Sequence, residues 1–313
     1  MTHAEDGGRK LFLVALGLPC LLAIVIIADA QSVSFNSIRL LDIRKAVDVD
    51  DPRVDESSGL AFSHRDQSCV WTHNDSGDGP ILYSIETATG KLVGRWALAE
   101  TSAIDWEDMA VVDQDGQAKL VVADVGDNQA RRASVAIHIV DEPEPRAIGT
   151  ISKDQIRTIR IRFQGGPTDC EAIWFDSSTE SMMLLAKRIG FSATLYKLPL
   201  AERPDDDGTV IARAVGALPT PMATGGDRDA TNGDVWITSY WNAWRFPGGD
   251  FNTPPEVFRV PAMKQIEAIT LDRQGVVWMT TEGSPCRLAA LNQATAPGHG
   301  PPPNRIPTES VGR

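Results

Sequence analysis

The chain has 313 residues, 42 acidic and 30 basic, for a formal net charge of −12; 42% are hydrophobic and 6% aromatic. Such acidity without a basic run excludes a nucleic-acid partner, because neutralising phosphates takes clustered Lys and Arg, and the apolar content excludes a chain disordered throughout. The excess of acid points toward cations or cationic partners.

The first element is an apolar stretch from Leu11 to Ala28, preceded by Arg9 and Lys10 and followed by Ala28-Asp29-Ala30. Basic residues before an apolar run, and small residues at its end, are the pattern of a secretory signal, expected to be cleaved after Ala30. An uncleaved anchor is the rival reading, since the run approaches the ~20 residues that span a bilayer. Either way residues 1–30 are a leader and the body is exported: secreted, periplasmic or in the cell envelope. Outside the leader remain Cys69, Cys170 and Cys286. An odd number allows at most one disulfide and leaves a free thiol, expected to be buried.

From residue 35 to 292 no convincing helical period occurs, and Gly and Pro punctuate short apolar runs. An acidic residue followed by a small or polar residue and an apolar run recurs: Glu56 to Phe62, Glu107 to Val111, Glu171 to Phe175, a weaker copy from Gly225 to Ala230, and Glu267 to Leu271. Each copy precedes a second apolar run, at Val70 to His73, Leu120 to Ala123, Met182 to Ala186, Val235 to Tyr240 and Val276 to Thr281. Two further candidate strands follow most pairs, for example Ile81 to Ile85 with Leu92 to Leu98. Four strands per repeat predict an all-β fold, a single β-propeller. Strict counting gives five blades, and the spacing between Glu171 and Asp227 leaves room for a sixth. The last repeat has only three strands, ending near Leu291, whereas Ile38 to Val47 is a strand without a repeat. Pairing the two closes the ring and hides sheet edges. Residues 293–313, with Pro301-Pro302-Pro303, form a tail expected to be disordered.

Because the second strand of a blade returns antiparallel to the first, the start of one and the end of the other share a face. The starts carry Glu56, Asp105, Glu107, Asp108, Asp169, Glu171, Asp227 and Glu267. The ends carry His73-Asn74-Asp75-Ser76-Gly77, Asp124-Val125-Gly126-Asp127-Asn128, Lys187-Arg188, Ser239-Tyr240 and Glu282-Gly283. Carboxylates so concentrated repel one another unless a cation neutralises them. Oxygen ligands suit calcium, and zinc is disfavoured because no histidine outside the leader has ligand spacing. Glu56, Glu107, Asp108, Asp124, Asp127, Asn128, Glu171 and Glu267 are the candidate metal ligands. His73 and Asp75 are candidates for general base; Asn74, Lys187, Arg188, Tyr240 and Glu282 are candidates for holding a ligand. Turn formation, strand capping and ion pairing are the competing structural roles for the same residues. Trp71, Trp174, Trp236 and Trp278 read as packing residues. No G-x-S-x-G elbow, Walker-type loop or G-x-G-x-x-G occurs.

Glu56-Ser57-Ser58-Gly59-Leu60-Ala61, Trp71-Thr72-His73-Asn74-Asp75-Ser76-Gly77, Asp105-Trp106-Glu107-Asp108-Met109-Ala110 and Asp124-Val125-Gly126-Asp127-Asn128 together resemble a group of uncharacterised secreted bacterial β-propeller proteins. The resemblance spans most of residues 55–285. It implies a phytase-like or lactonase-like, calcium-dependent superfamily with the metal at the channel mouth. Asp48-Val49-Asp50-Asp51-Pro52 looks like the Asp-rich segment of propeller phytases, but the following aromatic residue and a phosphate-binding Lys/Arg cluster are missing. A lactonase-like calcium set implies Glu56, Asp127 and Asn128. The expected function is therefore a calcium-binding exported propeller, as a hydrolase of a small ester, lactone or phosphoester using metal-activated water. The alternatives are a non-catalytic scaffold with structural calcium and a purely structural envelope protein. The expected partner is a small molecule, with membrane contact only through an uncleaved leader, and the chain is expected to be a monomer.

Overall fold

The computed structural model describes residues 38–114 and 116–293. The expected leader and almost all of the expected tail lie outside them; Gln293, assigned to the tail by composition, ends the last strand. The described chain is all-β apart from two 3-10 turns, Lys153–Gln155 and Pro247–Gly249.

Strand β1 (Arg39–Asp48) precedes four antiparallel four-stranded runs and a three-stranded one that it completes. The first contains β2 (Ser57–Phe62), β3 (Cys69–Asn74), β4 (Ile81–Glu86) and β5 (Leu92–Leu98). The second contains β6 (Trp106–Gln114), β7 (Gln117–Asp124), β8 (Val135–Asp141) and, after the short β9 (Ile148–Ile151), β10 (Arg157–Phe163). The third is β11 (Cys170–Asp176), β12 (Ser181–Ala186), β13 (Ala193–Pro199) and β14 (Thr209–Leu218). The fourth is β15 (Ala223–Arg228), β16 (Val235–Ser239), β17 (Asn242–Phe246) and β18 (Glu256–Arg259). The fifth is β19 (Ile266–Leu271), β20 (Val277–Thr281) and β21 (Arg287–Gln293), completed by β1, whose residues 41–48 pair antiparallel with β21.

Hydrogen bonding does not keep these units apart as five sheets. It gathers them into three, of eight, five and eight strands. The cause is parallel pairing between outermost strands: β10 with β14, and β1 with β18. In the first unit β9, which lies between strands of the second in sequence, adds to β5 in the same parallel way.

Packing runs between units. β2 packs on β6, β6 on β11, β11 on β15, β15 on β19, and β19 back on β2. Five apolar layers fill the spaces between consecutive units. Trp71 and Leu82 meet Trp106 and Leu120 between the first two, and Phe62 and Tyr83 meet Trp278 and Leu288 between the last and the first. Having neighbours on both faces explains why β2 and β3 are buried at every residue and read as continuous rather than alternating runs. The four repeat tryptophans are buried in these layers: Trp71, Trp236 and Trp278 on second strands, Trp174 on a first strand. Cys69, Cys170 and Cys286 are buried, free thiols, so no disulfide forms among them.

The weak fourth copy has a packing reason. A Cβ on Gly225 would lie 3.0 Å from the Glu267 carbonyl oxygen and 3.2 Å from Ala268 Cα, so β15 approaches β19 only where the side chain is absent.

Candidate metal centre at the acidic mouth

All five innermost strands carry a β-bulge near their start. Register with the second strand slips by one residue at Ser58 and Gly59 in β2, at Glu107 in β6, at Glu171 in β11, at Thr224 in β15 and at Glu267 in β19. A bulge leaves its extra residue outside the ladder and redirects its side chain. The repeat is thus structural, and it corrects the alignment read from sequence: Ser58 and Thr224 occupy the places assigned to Glu56 and the Gly225 copy. Their hydroxyls bridge neighbouring inner strands, Ser58 donating to the Glu107 carbonyl at 2.5 Å and Thr224 to the Ile266 carbonyl at 3.1 Å. The other three bulge positions hold carboxylates.

Two triads of carboxylates converge there, Asp75 with Asp105 and Glu107, and Glu107 with Asp169 and Glu171. Within each triad one oxygen per residue lies within 4.8 Å of the others. Glu107 belongs to both. It is 3% exposed, and its carboxylate accepts no hydrogen bond from any amide, hydroxyl or basic group among the described residues. Burial, followed by the charges of Glu171, Asp75, Asp105 and Asp169, pushes its carboxyl well above the usual range. Burial also raises Asp75, takes Asp105 up to about 6 and takes Glu267 up to about 8.

Lys187 is the basic group inside this cluster, donating to Glu171 Oε1 at 2.7 Å with its ammonium 5.6 Å from the Tyr240 ring centre. Burial opposes its charge, but the Glu171 carboxylate holds the ammonium above the ordinary lysine range. Asp75, Lys187, Tyr240 and Glu282 directly follow the second strands of their units, which is why the fold delivers all four to one mouth. Glu282 accepts a hydrogen bond from the Gln265 amide, and Glu56 stands exposed beyond the bulge.

Other residues singled out in the sequence take different places. Asp108 points into the packed interior, where the amides of Met109, Ile173 and Gly226 donate to it at 2.8, 2.8 and 3.0 Å. Asp124 pairs with Arg132 at 2.6 Å and accepts from the amides of Ile104 and Asp105. Asp127 accepts the amides of Arg131 and Arg132, each at 2.8 Å. Both fix the loop after β7, which carries Gly126 against the cluster; a Cβ on Gly126 would fall on Glu107 Oε1 and Asp105 Oδ2. Asn128 and Arg188 are exposed. Asn74 is engaged by the loop around it, donating to the Arg53 carbonyl at 2.6 Å and to Asp78 at 2.9 Å. His73 is fully buried, with Nδ1 2.9 Å from the Asn74 carbonyl and its ring edge-on to Trp106. Burial lowers its pKa to about 4, so it is neutral at physiological pH and sealed from the mouth.

Asp105 and Asp169 stand in the triads but were not among the ligands chosen from the sequence. The available signal was the repeated Asp-x-Glu, Asp105-Trp106-Glu107 and Asp169-Cys170-Glu171, which places two carboxylates around one bulge.

No family model and no curated protein sequence matches the chain. Among solved structures it is similar to the PQQ-bound aldose sugar dehydrogenase of Streptomyces coelicolor, at 12% identity over 80% of this chain and 97% of that one, with a TM-score of 0.48. It is also similar to a streptogramin B lyase, at 12% identity, 81% and 98% coverage and a TM-score of 0.42. A putative glucose dehydrogenase of Thermus thermophilus matches at 9% identity, 79% and 99% coverage and a TM-score of 0.45. Likeness at this level transfers neither a cofactor nor an activity.

Proposed function

We propose that the chain is an exported, single five-bladed β-propeller that binds a divalent cation, calcium, in its acidic mouth. Support for five blades comes from the ring of inner strands and the five apolar layers, with β1 as the outermost strand of the last blade. The observation that carries the cation is Glu107: a nearly buried carboxyl, shared by two triads, whose side-chain hydrogen-bond partner among the described residues is another acid, Glu171. An uncompensated charge in such a place is costly. The donors there, Asp75, Asp105, Glu107, Asp169 and Glu171, are all oxygen, which suits a hard cation and not zinc. The nearby Lys187 neutralises one carboxylate, leaving an excess of negative charge for the ion.

In its enzymatic form the bound cation would polarise a small ester, lactone or phosphoester and activate water, with Lys187 and Tyr240 beside the substrate. His73 is closed off and Asp75 stands among the metal donors, so the base in this reading is the mouth carboxylate outside the triads, Glu267. In its non-catalytic form the same site is a scaffold held together by calcium. Melting curves in calcium and in EGTA test the cation itself, because binding to the folded state alone raises the midpoint. An unchanged midpoint at saturating calcium, with no heat in a titration, overturns the proposal. Turnover of an ester, lactone and phosphoester panel that EGTA abolishes selects the enzyme; calcium binding without turnover selects the scaffold.

A further inference from the structure

At the end of the inner strands opposite the acidic mouth lies a cavity of about 440 Å³. Phe62 of β2, Val111 of β6, Phe175 of β11, Asp227 of β15 and Leu271 of β19 line it, one from each unit. The ring of inner strands thus has a second mouth. Glu107 and Asp113 lie near opposite ends of β6, roughly 20 Å apart along an extended strand, so a small molecule bound here does not reach the acidic triads. Volume and lining are those of a small-molecule site, an apolar wall with a few polar groups.

The ionisable groups of the lining are unequal in sign: Asp113, Asp227, Asp229 and Asp272 against Arg228 and Arg273, with His64 beside them. Arg228 is already paired with Asp176, and Asp227, which burial takes up to about 6, is mostly ionised at neutral pH. The balance is negative, which disfavours an anion and favours a cation. Two of the carboxylates are occupied. Asp227 accepts from the Thr270 hydroxyl at 2.8 Å and the Leu271 amide at 2.9 Å, and Asp272 from the amides of Gln274 and Val276 and the Trp278 indole. Asp229 differs. It is only 5% exposed, and its Oδ1 accepts from the Thr231 amide and hydroxyl at 2.8 and 2.6 Å, whereas its Oδ2 accepts nothing among the described residues. Gly275 leaves that oxygen uncovered, since a Cβ there would stand 3.1 Å from it. A carboxylate oxygen held largely out of water without a donor is costly until a donor is supplied.

We propose that this second mouth binds a small organic cation, a primary amine on an apolar body. The ammonium donates to Asp229 Oδ2, and the apolar body lies against Phe62, Phe175 and Leu271. The site is independent of the metal centre and stands or falls separately from it.

Calorimetric titration of the full chain in saturating calcium with phenethylamine, phenethyl alcohol and phenylacetate tests the proposal, because the three probes share an apolar body and differ in charge. The amine should bind at a single site, the alcohol at least about tenfold more weakly for want of a charge-assisted hydrogen bond, and the acid not at all. Asp229→Asn keeps the acceptor for Thr231 and should weaken the amine by at least about tenfold, with little effect on the alcohol. Ser177→Arg, at an exposed residue of the lining, places charge of the wrong sign there and should weaken the amine to a similar degree without moving the melting midpoint. Glu107→Gln should leave amine binding as it is. Amine binding that is lost in Glu107→Gln and ignores Asp229→Asn belongs to the acidic mouth and overturns the inference. Equal binding of the three probes, no binding of the amine, or binding of methyl glucoside in its place overturns it as well. Should Asp229→Asn lower the melting midpoint markedly, Ser177→Arg decides, and an unchanged amine affinity in that variant sinks the proposal.

Discussion

Glu107 concentrates the chemistry of the mouth in one side chain, because a β-bulge points it at four other carboxylates and no amide, hydroxyl or basic group among the described residues donates to it. Glu107→Gln should abolish the calcium-induced rise in melting midpoint while leaving the EGTA midpoint equal or higher, since a buried acid facing four other carboxylates is replaced by a neutral amide. Gly126→Ala adds a methyl group where Glu107 and Asp105 turn inward. It should weaken calcium binding by about 10–100-fold in a calorimetric titration, with a smaller effect on the fold. Asp105 and Glu267 titrate at about 6 and about 8 in the folded chain, against ordinary values of 3.8 and 4.5. The folded state therefore holds their protons more tightly than the unfolded chain does. The stability this contributes is fully present below the ordinary values and is lost as pH rises through about 6 and then about 8. In EGTA the midpoint should fall over that window, and calcium should flatten the fall. A midpoint that rises across the window in EGTA contradicts the geometry of the cluster.

Among the elements, the inner strands are held by buried polar ties, the outer ones by exposed pairs such as Arg39 with Glu256. Asp108 binds β6, its own strand, to β11 and β15 through the amides of Ile173 and Gly226. Asp108→Ala leaves these buried amides without partners and should cost about 2–5 kcal/mol in denaturant unfolding. Between the first and second units, Glu142 accepts from the Trp71 indole at 2.9 Å and from the His64 amide. Three inner strands were marked by a glutamate at the start of an apolar run, and the structure places that glutamate at the bulge in each. The other two were misaligned, because Ser58 and Thr224 perform the bulge with hydroxyls. A pattern built on carboxylates does not register a hydroxyl in the same backbone position, although hydroxyl and carboxylate both meet the local need for a polar side chain out of the ladder.

For the molecule as a whole, closure depends on β1. Its pairing with β21 runs from Leu41 to Asp48, yet Leu41 is its one fully buried large hydrophobic residue. The strand thus closes the ring mainly by hydrogen bonds and by covering the edges of β21 and β18. Removing residues 38–48 should expose both edges and produce oligomers or precipitate in size-exclusion chromatography, beyond any loss of midpoint. A monodisperse truncated monomer would show that the edges need no cover.

The sequence alone determined the all-β class, the run of strand pairs and the lone N-terminal strand, because alternating turn formers and short apolar runs are local properties of the chain. It also located the acidic mouth, since the antiparallel return of each second strand fixes which ends share a face. Which carboxylates meet was decided by tertiary structure. Asp108, Asp124 and Asp127 are carboxylates like Asp105 and Glu107, but backbone amides and Arg132 engage the first three. The difference lies in where neighbouring strands place their donors, and no spacing along one strand encodes that.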